Sequence, residues 1–417
     1  MTEETTTRET HDDTALRVFR QAQRESMYTR SVHAGAARSN PHHALIDPIY
    51  QTATYTFDDM NDVRQFHENH LHGQPDDRLE YGRYGNPTVA AAEQRVAQLE
   101  GAQAAVMFAS GMAAISALMF GVLSASDHVI LTDDCYRRTR QLVGQLLPRW
   151  GITCSVVPFG DYAALEAAIQ PNTRLLLSET PTNPYLRVLD VERFSDIARR
   201  HNVLSAVDST FATPINLRPL EWGIDLVLHS GTKYLAGHND LLCGFAAGSL
   251  EHLQPLRDSA GVTGAVADPH NAWLLSRGLK TLALRVAHHN QSGQAVAEFL
   301  ACHPAIERVW YPGLSSHPDH PVAIAQMQGY GGVVSFEVRG DAEETSAFID
   351  RLRIPYISPS LGGPESLVIQ PAIMSYYEYT PAQRQAIGIK DNLVRLALGL
   401  EDPQDIIFDL ERALEGL

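Results

Sequence analysis

The stretch Val191-Glu192-Arg193-Phe194-Ser195-Asp196-Ile197-Ala198-Arg199-Arg200-His201 carries its apolar residues at helical spacing, and it runs into the apolar run Val203-Leu204-Ser205-Ala206-Val207, closed by Asp208. A helix feeding a short buried strand is half of a parallel β-α-β unit. Working outward, residues 87–249 repeat the alternation. Strands are expected at 106–108, 128–132, 154–158, 174–178, 203–207, 226–229 and 243–247, and helices at 88–99, 112–123, 138–147, 162–169 and 191–201. That is the pattern of an α/β fold with a mostly parallel central sheet covered by helices.

Beyond it, one long helical stretch is expected over 272–300. Strand-like runs follow at 306–311, 332–338 and 353–357, with helices at 342–352 and 403–414. This mixture predicts a smaller C-terminal α+β domain. The expected division is 1–80 as a flexible tail and arm, 81–275 as the large domain and 276–417 as the C-terminal domain. Residues 73–78 and 312–321 read as surface loops.

Of the 417 residues, 44% are hydrophobic and 20% charged, which suits an ordinary globular protein of two packed domains. The formal charge of −16 argues against nucleic acid as the main partner and leaves small molecules. No apolar run reaches the roughly 18 residues that cross a bilayer, so no membrane role is expected. The first 29 residues are polar and mixed in charge, lacking the apolar stretch of a secretory signal and too acidic for an organellar transit peptide. Cys135, Cys154, Cys243 and Cys302 are scattered without metal-ligand spacing, as reduced thiols would be, and a cytoplasmic location is expected. Among 33 basic residues the lysines are Lys233, Lys280 and Lys390 alone, so a lysine kept at a strand end invites a chemical explanation.

Open α/β sheets bind ligands at the carboxyl ends of their strands. Asp208 ends one strand. Lys233 follows another, between Ser230 and Thr232, whose hydroxyls suit a phosphate. Ser110-Gly111-Met112 opens a helix after a strand, where amides and dipole favour an anion. Tyr136 follows the strand ending at Thr132. Each has a plain structural reading: a turn-forming carboxylate, a surface lysine, a helix cap, a core aromatic. Together they are what pyridoxal phosphate needs. The amine forms a Schiff base, the carboxylate keeps the pyridine nitrogen protonated, and an aromatic stacks on the ring.

From about Arg30 to its end the chain resembles the Cys/Met-metabolism family of pyridoxal-phosphate enzymes. The resemblance rests on Ser31-Val32-His33-Ala34-Gly35, Tyr81-Gly82-Arg83-Tyr84-Gly85-Asn86-Pro87-Thr88, Glu179-Thr180-Pro181-Thr182-Asn183-Pro184, Asp208-Ser209-Thr210-Phe211-Ala212-Thr213-Pro214 and Ser230-Gly231-Thr232-Lys233-Tyr234. It is closest to the plant-type cystathionine γ-synthase branch, through Asp134-Cys135-Tyr136-Arg137-Arg138-Thr139-Arg140, Gly237-His238-Asn239-Asp240, Gln370-Pro371-Ala372-Ile373-Met374 and Lys390-Asp391-Asn392-Leu393-Val394-Arg395. The resemblance implies the aspartate aminotransferase-like fold (fold type I), with pyridoxal 5'-phosphate on Lys233. It implies Tyr136 on the ring, Asp208 on its nitrogen and Asn183 near its 3-hydroxyl. Phosphate would be held by Ser110, Gly111, Met112, Ser230 and Thr232, and by Tyr81 and Arg83 of a neighbouring subunit. Arg395 would hold the substrate carboxylate with help from Ser360, and Tyr50 would reach a neighbouring site. A homodimer with shared sites follows, usually within a tetramer.

The activity this implies is γ-replacement or γ-elimination on a small amino acid, with activated homoserine plus cysteine giving cystathionine as the first expectation. A γ- or β-lyase is the alternative, as is an enzyme of specialised metabolism that eliminates another γ substituent such as a halide. A noncatalytic regulatory protein on the same fold is a remote third. Arg137 and Arg138 stand where many relatives have Gly-Gly; methionine γ-lyases typically place a cysteine at the position of Arg138, which argues against that activity, and Pro359 departs from the glutamate of several γ-acting members. Residues 66–78 look inserted. His67, His70 and His72 within them fit a solvated loop better than a metal site, so no metal is expected.

Overall fold

The computed structural model describes residues 25–36, 39–74 and 76–415, so most of the expected tail lies outside the described residues. Seven strands form the larger sheet: β1 (Ala104–Phe108), β2 (His128–Thr132), β3 (Thr153–Val157), β4 (Thr173–Glu179), β5 (Leu204–Asp208), β6 (Leu226–His229) and β7 (Gly244–Gly248). Their order is β1-β7-β6-β5-β4-β2-β3. The run from β6 to β3 is parallel, whereas β7 is antiparallel to both neighbours. β1 therefore points the same way as the parallel strands. The carboxyl ends of β1, β2, β4, β5 and β6 share one edge with the start of β7.

Apolar faces explain the layers. Leu175, Leu177, Ala206, Leu226 and Leu228 pack on the side of the helix Gly111–Val122, while Leu176, Val207 and Val227 pack on the side of Val191–His201. The latter helix is delimited as its sequence demands. Asp190 caps its first turn and Asn202, left-handed at φ 55°, ends it. A second sheet, ordered β10-β11-β12-β9-β8, comprises β8 (Ile306–Trp310), β9 (Val333–Val338), β10 (Tyr356–Ile357), β11 (Leu367–Ile369) and β12 (Leu393–Ala397). One continuous core joins Tyr234, Leu235 and Phe245 to Val333, Phe336 and Val394, so the two sheets are packed as a unit.

The structure corrects several expected elements. The stretch 272–300 is two helices, Pro269–Leu279 and Leu282–Cys302, because Arg285 reaches back and donates to the Gly278 carbonyl at 2.9 Å and to the Tyr234 carbonyl at 2.7 Å. The helix expected over 138–147 is α-helical only over Arg137–Gln141. It loosens into a π turn and ends in a 3₁₀ turn at Pro148, which has no N–H to continue it. The strand at 353–357 shrinks to Tyr356–Ile357, since the Arg353 and Ile354 amides donate to the Asp409 carboxylate at 2.8 and 2.9 Å. His67 and His70 lie on a helix, Met60–Leu71, started by an Asp59 cap, and not in a loop. Part of the expected arm is likewise helical, over Met27–His33. Among the described residues no group of three or more metal-ligating side chains occurs, and no helix is long and apolar enough to cross a membrane.

Candidate active site

Parallel register brings two carboxylates side by side at the sheet edge, because Glu179 ends β4 directly opposite Asp208, the last residue of β5. Burial holds Glu179 well above the usual carboxylate range, and Asp208 beside it adds to the effect. Burial also raises Asp208, against the hydrogen bonds it accepts from Thr210. Those bonds come from the Thr210 amide at 3.0 Å and hydroxyl at 2.5 Å, both to Oδ1. Oδ2 is left for another donor. Glu179 has a task that the sequence reading did not assign: its Oε2 accepts the Tyr136 amide at 2.8 Å, fixing the loop from which the exposed Tyr136 ring projects.

Next along the edge is a cradle of backbone amides and a hydroxyl, the chemistry that suits a phosphate. The Ser110 hydroxyl caps the helix by accepting from the Ala113 amide at 3.1 Å, which leaves the Gly111 and Met112 N–H groups without intrahelical acceptors. A Cβ on Gly111 would lie 2.9 Å from the Ser230 Cβ, so the amides and the Ser230 hydroxyl converge only because position 111 is glycine. Gly244, at the start of β7, permits the same crowding: a Cβ there would sit 2.1 Å from the Ser110 carbonyl oxygen. The Thr232 hydroxyl is tied to the Cys243 backbone, donating to its carbonyl at 3.3 Å and accepting its amide at 3.1 Å.

The amine and the second sheet meet above this cradle. Lys233 Nζ donates to Ser360 Oγ at 2.7 Å, and Ser360 holds a left-handed backbone at φ 98°. Arg395, in the middle of β12, donates from Nη2 to the Ser360 carbonyl at 2.8 Å and from Nη1 to Asn183 Oδ1 at 3.1 Å. Its Nε is buried without a partner. Burial, then the nearby Arg395 charge, brings Lys233 down to about 8, and burial brings Arg395 down to about 10. The cradle at Gly111, the free Asp208 oxygen, the amine and an orphaned guanidinium N–H together fit pyridoxal phosphate bearing an amino acid.

A family model for Cys/Met metabolism PLP-dependent enzymes matches residues 28–415. The chain belongs to this family. Its cofactor is therefore pyridoxal phosphate, and its fold is that of the fold type I enzymes. Members similar to it include cystathionine gamma-synthase 1, chloroplastic, of Arabidopsis thaliana, 44% identical over 93% of this chain and 68% of that protein. Cystathionine beta-lyase of Lactococcus lactis is 41% identical over 94% and 99%. The crystal structure of metB from Corynebacterium glutamicum superposes with a TM-score of 0.87 at 35% identity, covering 95% of this chain and 99% of that one. In this Cys/Met-metabolism enzyme the residues expected from sequence fall into two groups. Lys233, Ser360, Arg395 and Asn183 are joined by direct hydrogen bonds, with Asp208, Ser230, Gly111, Met112, Thr232 and Tyr136 on the strand ends and loops of the same edge.

Tyr50, Tyr81 and Arg83 make none of these bonds. Tyr81 and Arg83 line a separate groove of about 840 Å³ with Glu93, Arg257 and Gly261. There Arg83 donates to the Gly261 carbonyl at 2.7 Å and lies over the Tyr84 ring, 4.8 Å from its centroid. Tyr50 is held only by its backbone, through Thr88 and Asn86, and its ring is exposed.

Proposed function

We propose that this enzyme carries out γ-replacement on an activated homoserine, joining it to cysteine as a cystathionine γ-synthase does. The observation that carries the amino-acid chemistry is the clamp on Ser360, with Lys233 on its hydroxyl and Arg395 on its carbonyl, and the similarity to cystathionine gamma-synthase 1 favours replacement. An amino acid whose carboxylate is held by Arg395 presents its Cα to the Lys233 amine. Bound pyridoxal phosphate supplies an electron sink for the bonds at that carbon. Lys233, uncharged above about pH 8, takes the Cα proton, then serves Cβ and returns a proton to the departing γ group. Asp208 would offer its free oxygen to the ring nitrogen, Tyr136 would cover the ring face, and Gly111, Met112, Ser230 and Thr232 would hold the phosphate.

Tyr81 and Arg83 complete the phosphate site of a second copy of the chain, and Tyr50 extends from the arm to that copy. This makes the protein a homo-oligomer with shared sites, a dimer within a tetramer. Their separation from their own Lys233 supports this assignment, as does the groove in which they stand. We read 81–275 as a cofactor-binding domain and 276–417 as a C-terminal α+β domain, preceded by the tail and arm over 1–80; the presence of two sheets, one before and one after the helix Pro269–Leu279, supports a division of this kind. The enzyme works in the cytoplasm. The second reading is elimination without an acceptor, favoured by the similarity to the cystathionine beta-lyase of Lactococcus lactis.

Product mass spectrometry separates the readings. The purified enzyme receives O-phospho-, O-succinyl- or O-acetylhomoserine, each with and without cysteine. Cystathionine formed only with cysteine supports replacement. A 2-oxo acid whose yield ignores cysteine assigns the chain to elimination.

A further inference from the structure

Beneath the site lies a buried pair to which the chemistry above gives no part. His229, the last residue of β6, donates from Nε2 to Glu100 Oε1 at 2.5 Å, and both side chains are wholly enclosed. Glu100 ends the helix Pro87–Glu100, a different layer of the fold. Its Oε2 and the Nδ1 of His229 have no partner. A carboxylate and an imidazole enclosed in this way cost desolvation that an apolar pair of the same volume avoids. The contact sits immediately before Ser230.

From there a directional chain of hydrogen bonds leads to the cofactor carboxylate. The Ser230 amide donates to Thr210 Oγ1 at 2.8 Å, so this hydroxyl, already accepting, turns its own proton to Asp208 Oδ1 at 2.5 Å. The Ser209 amide donates to the Leu228 carbonyl at 3.0 Å, locking the same two strand ends together one residue earlier. The titratable groups that face Asp208 are Glu179 from β4, Cys135 from the loop after β2 and His229 itself.

We propose that the Glu100–His229 pair is a positioning device for Asp208. It pins the end of β6 to the helix Pro87–Glu100, so that the Ser230 amide aims the Thr210 hydroxyl at one Asp208 oxygen and the other stays directed at the cofactor nitrogen. The pair touches neither cofactor nor substrate and acts through Ser230 and Thr210. The inference rests on the reading of Asp208 as the partner of that nitrogen.

The test uses holoenzyme variants Glu100→Gln, His229→Gln, Thr210→Val and the Glu100→Gln/Thr210→Val double. The readouts are the pH midpoint of the visible absorbance of lysine-bound cofactor, cofactor stoichiometry, kcat and KM. Each single variant is expected to shift the midpoint by about half a unit or more and to lower kcat about tenfold with KM within about twofold. Because both act on one chain of bonds, the double variant shifts no further than Thr210→Val alone. Glu100→Asp, which keeps the charge but withdraws it by one methylene, replaces Glu100→Gln if the amide does not fold. A folded, cofactor-loaded variant of the pair with wild-type midpoint and kcat overturns the proposal. Asp208→Asn with a wild-type midpoint overturns the underlying reading of Asp208 instead.

Discussion

Replacing Arg395 by lysine keeps a positive charge on β12 and removes its fork. In the native chain Nη1 is spent on Asn183 and Nη2 on the Ser360 carbonyl, while Nε is buried with no acceptor. A substrate carboxylate has the Nε–H and a remaining Nη–H to accept, two parallel bonds in the geometry that only guanidinium offers. A lysine ammonium supplies at most one of them. A hydrogen bond to a charged group contributes about 1.5–3 kcal/mol, and each 1.4 kcal/mol is a factor of about ten. Arg395→Lys should therefore lose about ten- to 150-fold in kcat/KM. The carboxylate keeps its charge through the reaction, so the loss should fall mainly on KM. Steady-state kinetics on the homoserine ester turned over fastest checks this, with cofactor loading read from visible absorbance. A folded, loaded Arg395→Lys enzyme with kcat/KM within about twofold of wild type refutes the role given to Arg395. A loss confined to kcat moves that role to the chemical step.

Three further outcomes follow from the same geometry. Burial and Arg395 disfavour the charged form of Lys233, so capture of added pyridoxal phosphate by the apoenzyme should accelerate as pH rises through about 8, not near the ordinary lysine value of 10.5, and stopped-flow absorbance reads the midpoint directly. In Gly111→Ala the new methyl meets Ser230 at 2.9 Å and closes the phosphate cradle; fluorescence titration should show cofactor affinity at least about tenfold weaker, the loss of one or two amide bonds to a dianion. If Arg83 serves the neighbouring copy, Arg83→Ala and Lys233→Ala chains, each inactive alone, should recover about a quarter of wild-type activity when unfolded together and reassembled, since half the dimers are hybrids with one intact site of two. No recovery in verified hybrids would place Arg83 in its own chain's site.

How far the sequence discloses this site depends on the sheet that carries each residue. In the seven-stranded sheet the strands β2, β4, β5 and β6 are parallel, so knowing where each apolar run ends is enough to know that Asp208, Lys233 and Tyr136 share an edge. Glu179 obeys the same rule, but it opens the motif Glu179-Thr180-Pro181-Thr182-Asn183-Pro184 just past the expected strand end at 178, and the resemblance gives a role in that motif to Asn183. The five-stranded sheet offers no such shortcut. Its order β10-β11-β12-β9-β8 is not the chain order, β11 is a three-residue apolar run, Leu367–Ile369, and β12, Leu393–Ala397, is a short one broken by Arg395, so no periodicity distinguishes either. Arg395 and Ser360 were accordingly found by resemblance, and only packing shows that one guanidinium spans Ser360 and Asn183. The Glu100–His229 contact was beyond both routes. Those residues lie 129 apart, one looks like an ordinary acidic residue at a helix end and the other like the tail of a strand, and it is their complete enclosure that marks them. A carboxylate in a helix layer can reach a strand end only once the helix has docked on that face of the sheet. What the sequence hides here is the layer behind the chemistry, because its residues are selected by burial and not by a pattern along the chain.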